Sequence, residues 1–271
     1  MNLYSNFRLT VKNNFFKLKN KKAIAKTLKI KNTKIDKNVI LLATGKSLSI
    51  VDLKKLKKLR EKNYEIFSLG GFLASEASKE VDIDYYLLSD ERTIFPEKYD
   101  LEIDLKNTIL KTIELIIKKK IRLFLPTQVY EKHSFKNNEV FYFNNLADKK
   151  TTNISDITKY YGYGSISGLK ALSICKYLRY DNIYFIGLDN DHWNNIKVNT
   201  SNEILQVNRH FYDNDTIYRK NSNIDSIGSL LKKSSEIFKA YEKFRNYNII
   251  NLDPDSLIDC FDKNHKLDIY K

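Results

Sequence analysis

The sequence predicts an α/β fold in which helices flank a mostly parallel sheet, on three observations. Apolar runs at 39–43, 64–69 and 83–88 are short enough for strands, and helical stripes separate them. Each run ends in small or polar residues, Thr44-Gly45, Gly70-Gly71 and Ser89-Asp90, as strands do where the carboxyl edge of a parallel sheet forms a crevice. Residues 162–191 repeat the unit as loop, helix, turn and buried strand, ending in Asp189-Asn190-Asp191. That regularity describes a Rossmann-like sheet.

Taken in order, the first run turns at Gly45 into a helix that Ser47 or Ser49 would cap. Residues 50–62 form a basic amphipathic helix, 64–69 the second strand, 74–79 a short helix and 83–88 the third strand. A helix at 108–120 leads to strands at 121–127 and, after a polar turn, at 140–145. Glycines and serines then precede an apolar stripe. A helix at 167–178 would therefore start with backbone N–H groups that face a phosphate or carboxylate, and a strand at 183–188 follows. Residues 192–223 are polar and rich in Asn and Asp. A stretch of that length reads as a lid beside the strand end at Asp189, or as a disordered insert. A helix at 227–246, a strand at 247–253 and a turn at 253–261 close the pattern.

With 271 residues, 42% hydrophobic and 13% aromatic, the chain can bury a substantial core, and one main α/β domain is expected over 38–271. No apolar run approaches the roughly 20 residues that span a bilayer, and no signal-peptide core is visible, so an intracellular protein is expected. Cys175 and Cys260 lack zinc or redox neighbours and read as packing residues. The net charge of +14 is uneven: from Arg8 to Lys37 there are eleven basic residues and one acidic, Asp36. Residues 1–37 therefore read as a basic arm. Anionic lipid and nucleic acid would both attract it. Phe7, Val11, Phe15, Phe16 and Leu18 add apolar anchors that favour a membrane surface over a merely solvated helix, and no stacking motif or recognition helix points to nucleic acid.

The turn at 43–49 matches neither the two-glycine spacing of a dinucleotide site nor the G-x-x-x-x-G-K-[ST] of a P-loop. It leaves a glycine after the first strand, where backbone can approach a ligand closely. Asp189 and Asp191 form a D-x-D pair of the kind that holds magnesium or manganese on a diphosphate, although acidic residues at strand ends also close turns. His210 stands beside Arg209 and near Tyr212 in the expected lid. A histidine there could deprotonate an acceptor hydroxyl while Arg and Tyr balance a departing phosphate; a surface histidine without a role is the alternative. His192 has a similar case beside Asp191. His133 and His265 read as solvated.

Over about 38–261 these pieces resemble the bacterial sialyltransferases of glycosyltransferase family forty-two and related surface-polysaccharide transferases. The family's G-N-G-P-S-L turn is matched by Ala43-Thr44-Gly45-Lys46-Ser47-Leu48, and its T-S-G helix start by Ile166-Ser167-Gly168. Its G-I-D strand end is matched at the same spacing by Gly187-Leu188-Asp189, and its P-N-S-L by Pro254-Asp255-Ser256-Leu257. Where the family has asparagines at the second and third strand ends, this chain has Gly70 and Ser89-Asp90.

The resemblance implies a variant of the GT-A fold. In it Thr44, Gly45, Ser47, Gly70, Gly71, Ser89, Asp90, Ser167, Gly168 and Asp189 line a pocket for a CMP-linked sialic acid or related nonulosonate. It implies His210 as base, with Arg209 and Tyr212 at the leaving phosphate, and no required cofactor. The acceptor would be a surface glycan or lipooligosaccharide, reached from the inner face of the membrane that the basic arm would touch; a homo-oligomer is compatible. Two readings stay beside it. One is a metal-dependent phosphotransferase resembling a pterin diphosphokinase, with magnesium or manganese on Asp90, Asp189 and Asp191. The other is a non-catalytic nucleotide-binding protein on the same fold.

Overall fold

The computed structural model describes residues 3–148, 151–163, 166–191, 193, 196–207, 211, 218–220, 226–263 and 267–271. Helices α1 (Leu3–Lys19) and α2 (Lys21–Leu28) come first. Then follow β1 (Asn38–Leu42), α3 (Leu53–Arg60), β2 (Tyr64–Leu69), β3 (Tyr85–Leu87), α4 (Glu91–Ile94), α5 (Ile103–Lys119), β4 (Arg122–Pro126) and β5 (Val140–Phe143). The chain continues through α6 (Ser167–Leu178), β6 (Asn182–Ile186), β7 (Ile196–Val198), β8 (Ile204–Val207), β9 (Tyr218–Lys220), α7 (Ile227–Glu242) and β10 (Ile249–Asn251).

Seven strands form one sheet in the order β10-β6-β1-β2-β3-β4-β5, and every neighbouring pair is parallel. The chain lays strands outward from β1 to β5, then crosses back through α6 to add β6 and β10 on the other side of β1. The order therefore reverses between β1 and β6, where an open α/β sheet forms a crevice outside its carboxyl ends. Both faces are covered, as a parallel sheet requires. Val39 and Leu41 join Phe67, Phe124 and the apolar faces of α6 and α7, whereas Ile40 and Leu42 lie on the other face with Leu56 of α3 and Ile116 of α5.

Several elements differ from the sequence expectation for local reasons. The helix expected after Gly45 is a 3-10 turn, Lys46–Ile50, with no side-chain cap. Helix α3 starts only at Leu53, because Asp52 accepts the N–H groups of Lys54 (2.9 Å) and Lys55 (3.4 Å). The helix expected at 74–79 is two 3-10 turns, Phe72–Ala74 and Glu76–Lys79. Within 192–223, expected to be a lid or disordered insert, β7, β8 and β9 pair as an antiparallel sheet. Ile204 of that sheet is buried with Leu230 of α7, beside Trp193, Ile196 and Ile227.

The basic segment before β1 packs on the body of the protein through both its helices. Phe16, Ala23 and Ile24 are buried. The Thr27 hydroxyl donates to the Tyr142 carbonyl (2.7 Å) and accepts the Tyr142 N–H (2.7 Å), so α2 satisfies backbone groups of the edge strand β5. His133, expected to be solvated, is buried instead. Its Nδ1 accepts the Phe135 N–H (3.1 Å) and its Nε2 lies 2.7 Å from the Tyr142 hydroxyl. Cys175 and Cys260 are buried thiols. Among the described residues, no helix is long and apolar enough to cross a membrane.

Candidate functional site

The β1 and β6 ends are locked together where the strand order reverses. Gly187 takes φ +80°, and a Cβ there would stand 2.7 Å from the Ala43 carbonyl, so glycine is required for this close approach. Its N–H donates to Ser47 Oγ (3.0 Å), and its carbonyl accepts the Gly45 N–H (2.8 Å). Asp189 completes the lock by accepting the Ser47 N–H (3.0 Å) and the Ser47 hydroxyl. Its carboxylate occupies the space a Gly45 side chain would need, 2.6 Å from an added Cβ. The close approach expected of a ligand at Gly45 is thus made by Asp189. Ser47, expected as a helix cap, is the other half of this clamp.

Two clefts flank the clamped turn. The first, about 210 Å³, lies over the ends of β2 and β3 and the start of α6. Thr44, Gly70, Gly71, Ser89, Asp90 and Ser167 line it, opposite Thr108 and Ile109 of α5. Residues singled out in four separate stretches of sequence therefore meet at one rim. Ser89 Oγ lies 2.7 Å from Ser167 Oγ, tying the β3 end to the α6 start. Gly70 takes φ +71°, the left-handed region that Gly and Asn share, and its carbonyl accepts the Tyr86 hydroxyl.

Helix α6 begins behind Ile166, which brings no side-chain acceptor, so among the described residues no side chain caps its first-turn N–H groups, which suit an acceptor at the rim. At Gly168, expected to line the donor pocket, an added Cβ would stand 2.7 Å from Leu188 Cδ2, so α6 packs closely on the β6 end there. Asp90 caps α4 through the Arg92 N–H (2.9 Å) and pairs with the Arg92 guanidinium (2.6 Å). Burial raises its carboxyl pKa, but Arg92 outweighs this and holds it below the ordinary value.

Lys170, one turn into α6, is 4% exposed, and burial lowers its ammonium pKa to about 8 against the opposing pull of Asp90. The sequence reading passes over Lys170. The signal was a cation at the fourth position of an otherwise apolar helical stripe.

The second cleft, about 350 Å³, opens on the β6 and β10 side between Lys46, Asp189, Asp191, Asp253, Asp255 and Leu257. Asp253 follows β10 as Asp189 follows β6, a strand-end signal readable in the sequence but not used there. Burial raises the Asp253 carboxyl pKa; the Asp255 N–H (3.0 Å) opposes this, while the charges of Asp189 and Asp255 add to it. Among the described residues, no three His, Cys, Asp or Glu are grouped to hold a metal ion.

His210, Arg209, Tyr212, His192 and His265 lie outside the described residues. Phe211 is described: its N–H donates to the Thr44 carbonyl (3.0 Å), and its ring stacks on Phe72 with centroids 5.9 Å apart. The 192–223 segment thus touches the turn between the two clefts.

No protein-family model and no curated protein matches the chain. Among solved structures it is similar to the MAf glycosyltransferase from Magnetospirillum magneticum AMB-1, at 13% identity and a TM-score of 0.48. The match covers 93% of this chain and 39% of that one, so the chain spans well under half of that protein's length. A likeness at this level carries neither a residue role nor an activity across.

Proposed function

We propose that the chain transfers a sugar from a nucleotide donor, a CMP-linked sialic acid or related nonulosonate, to a surface glycan or lipooligosaccharide. The observation that carries this reading is the first cleft. It combines an α6 start without a side-chain cap, the hydroxyls of Thr44, Ser89 and Ser167, and the backbone of Gly70-Gly71 at the carboxyl rim of a parallel sheet. Such a lining suits ribose and phosphate. A nucleoside monophosphate suits it better than a diphosphate, which calls for a divalent cation on oxygen ligands; here the leading carboxylate of the D-x-D pair, Asp189, is held by Ser47.

In this reading the acceptor hydroxyl attacks the anomeric carbon as the bond from that carbon to the phosphate oxygen breaks. CMP departs with the electron pair, and configuration inverts. His210 takes the hydroxyl proton, while Arg209, Tyr212 and the first N–H groups of α6 stabilise the departing phosphate. The carboxylate-lined second cleft accepts hydrogen bonds from sugar hydroxyls. Replacing His210 with Ala should lower turnover by about 10²–10⁴-fold with CMP binding retained.

Thermal-shift titration with CMP, CDP, UDP and GDP, each with and without magnesium, tests the donor class. CMP should raise the melting temperature with no need for magnesium. A shift confined to a diphosphate with magnesium would replace this reading with the metal-dependent phosphotransferase. CMP binding without transfer to any acceptor would replace it with the non-catalytic binder.

A further inference from the structure

We propose that α1 docks the protein on an anionic lipid surface through one outward face. Phe7, Val11, Phe15 and Leu18 recur every three or four residues and so share one side of the helix. They are 68%, 50%, 67% and 75% exposed. The opposite side fixes the helix to the body. Phe16 is buried with its ring 6.0 Å from that of Tyr160, Asn13 Oδ1 accepts the Tyr160 N–H (3.0 Å), and Lys12 pairs with Asp148 (2.7 Å). The apolar stripe is therefore presented outward by a docked helix.

Charge decides what covers the stripe. Arg8, Lys19, Lys21 and Lys22 are exposed along or just beyond α1, and the sequence before Asp36 contains no acidic residue. A second copy of this helix would bring like charges together. Nucleic acid would satisfy the cations but leave four large apolar side chains in water. An anionic bilayer interface takes both, with the apolar stripe at the acyl boundary and the cations among the headgroup phosphates. Leu28 and Ile35, 53% and 46% exposed with Lys29 and Lys31 between them in sequence, extend the same character. This docking rests on the exposed face alone and stands apart from the donor reading.

The test is co-sedimentation of the intact chain with vesicles of phosphatidylcholine alone or with about one third phosphatidylserine, at low and physiological salt. Anionic vesicles should bind at least roughly tenfold more tightly than neutral ones, and salt should weaken the binding. Phe7→Ser, Phe15→Ser and Leu18→Ser together should lower that binding at least roughly tenfold at an unchanged melting temperature, since all three side chains are exposed. Lys19→Gln with Lys22→Gln should lower it by on the order of fivefold per cation. Equal binding to both vesicle types, or undiminished binding by the serine variant, overturns the proposal. So does a dimer in light scattering that Leu18→Ser dissociates, or oligonucleotide binding without vesicle binding.

Discussion

The two rims of the main sheet use their polar residues in opposite ways. At the amino end, Glu65 of β2 lies buried among Lys34 (2.7 Å), Lys37 (3.5 Å), Arg122 (3.8 Å) and the Tyr180 hydroxyl. Asp84, just before β3, accepts from Arg60 (2.8 Å) and from the Ile66 N–H (2.8 Å). Charges there are matched within the protein. At the carboxyl end, two clefts open beside one clamped turn, one lined largely by small residues and the other by carboxylates, and Ile166 gives the α6 start no side-chain cap. The shifted groups Lys170 and Asp253 are also found there. The lesson is that charges matched deep within the protein mark the structural rim, while small residues and carboxylates that line open clefts mark the other.

Glu65→Ala should break the structural rim most severely. It strands Lys34 and Tyr180 in a buried site and should cost about 3–5 kcal/mol in urea unfolding, with nucleotide binding unchanged in the folded protein. Burial raises the Glu65 carboxyl pKa, but the hydrogen bonds of Lys34 and Tyr180 and the nearby cations hold it below 4.5. Its contribution should therefore be complete above that pH. It should decline as pH falls further, because the unfolded carboxyl takes up a proton before the folded one does.

Gly45→Ala attacks the clamp between the two clefts of the carboxyl rim. A methyl group there must displace a carboxylate that Ser47 holds, at a cost of about 1–3 kcal/mol by thermal unfolding. Nucleotide affinity should fall with it, since the Thr44 wall moves. Lys170→Met sharpens the comparison from the other side. It removes a buried ammonium whose pKa is already pushed to about 8 and whose charge acts on Asp90 in the first cleft, so calorimetric affinity of the folded protein for a phosphate at the α6 start should drop.

Much of this architecture is legible in the sequence because a parallel sheet covered on both faces writes its strands as short apolar runs with polar ends. The α6 bounds match the expected helix at 167–178, since an apolar stripe set between a Ser-Gly start and the polar Arg179-Tyr180-Asp181 turn leaves little freedom. Thr44, Gly70, Gly71, Ser89, Asp90 and Ser167 come together because strand ends in one parallel sheet share a rim. The clamp was not legible: Gly45 and Asp189 lie far apart in sequence, and their contact depends on the register of β1 against β6. The burial of His133 was hidden because its neighbours in sequence are polar, while its partner, Tyr142, comes from β5. β7, β8 and β9 went unread because three- and four-residue strands in an Asn-rich segment carry too little alternation to separate from a loop.

The central claim is that the α6 start in the first cleft holds the phosphate of a nucleotide. Ser167→Asp tests it most directly, because a carboxylate in the first turn favours the helix dipole but repels an anion in the cleft. Titrated calorimetrically with CMP, this variant should lose binding by roughly two orders of magnitude or more, while its melting temperature stays within a few degrees of the parent. CMP affinity equal to the parent's would contradict the account.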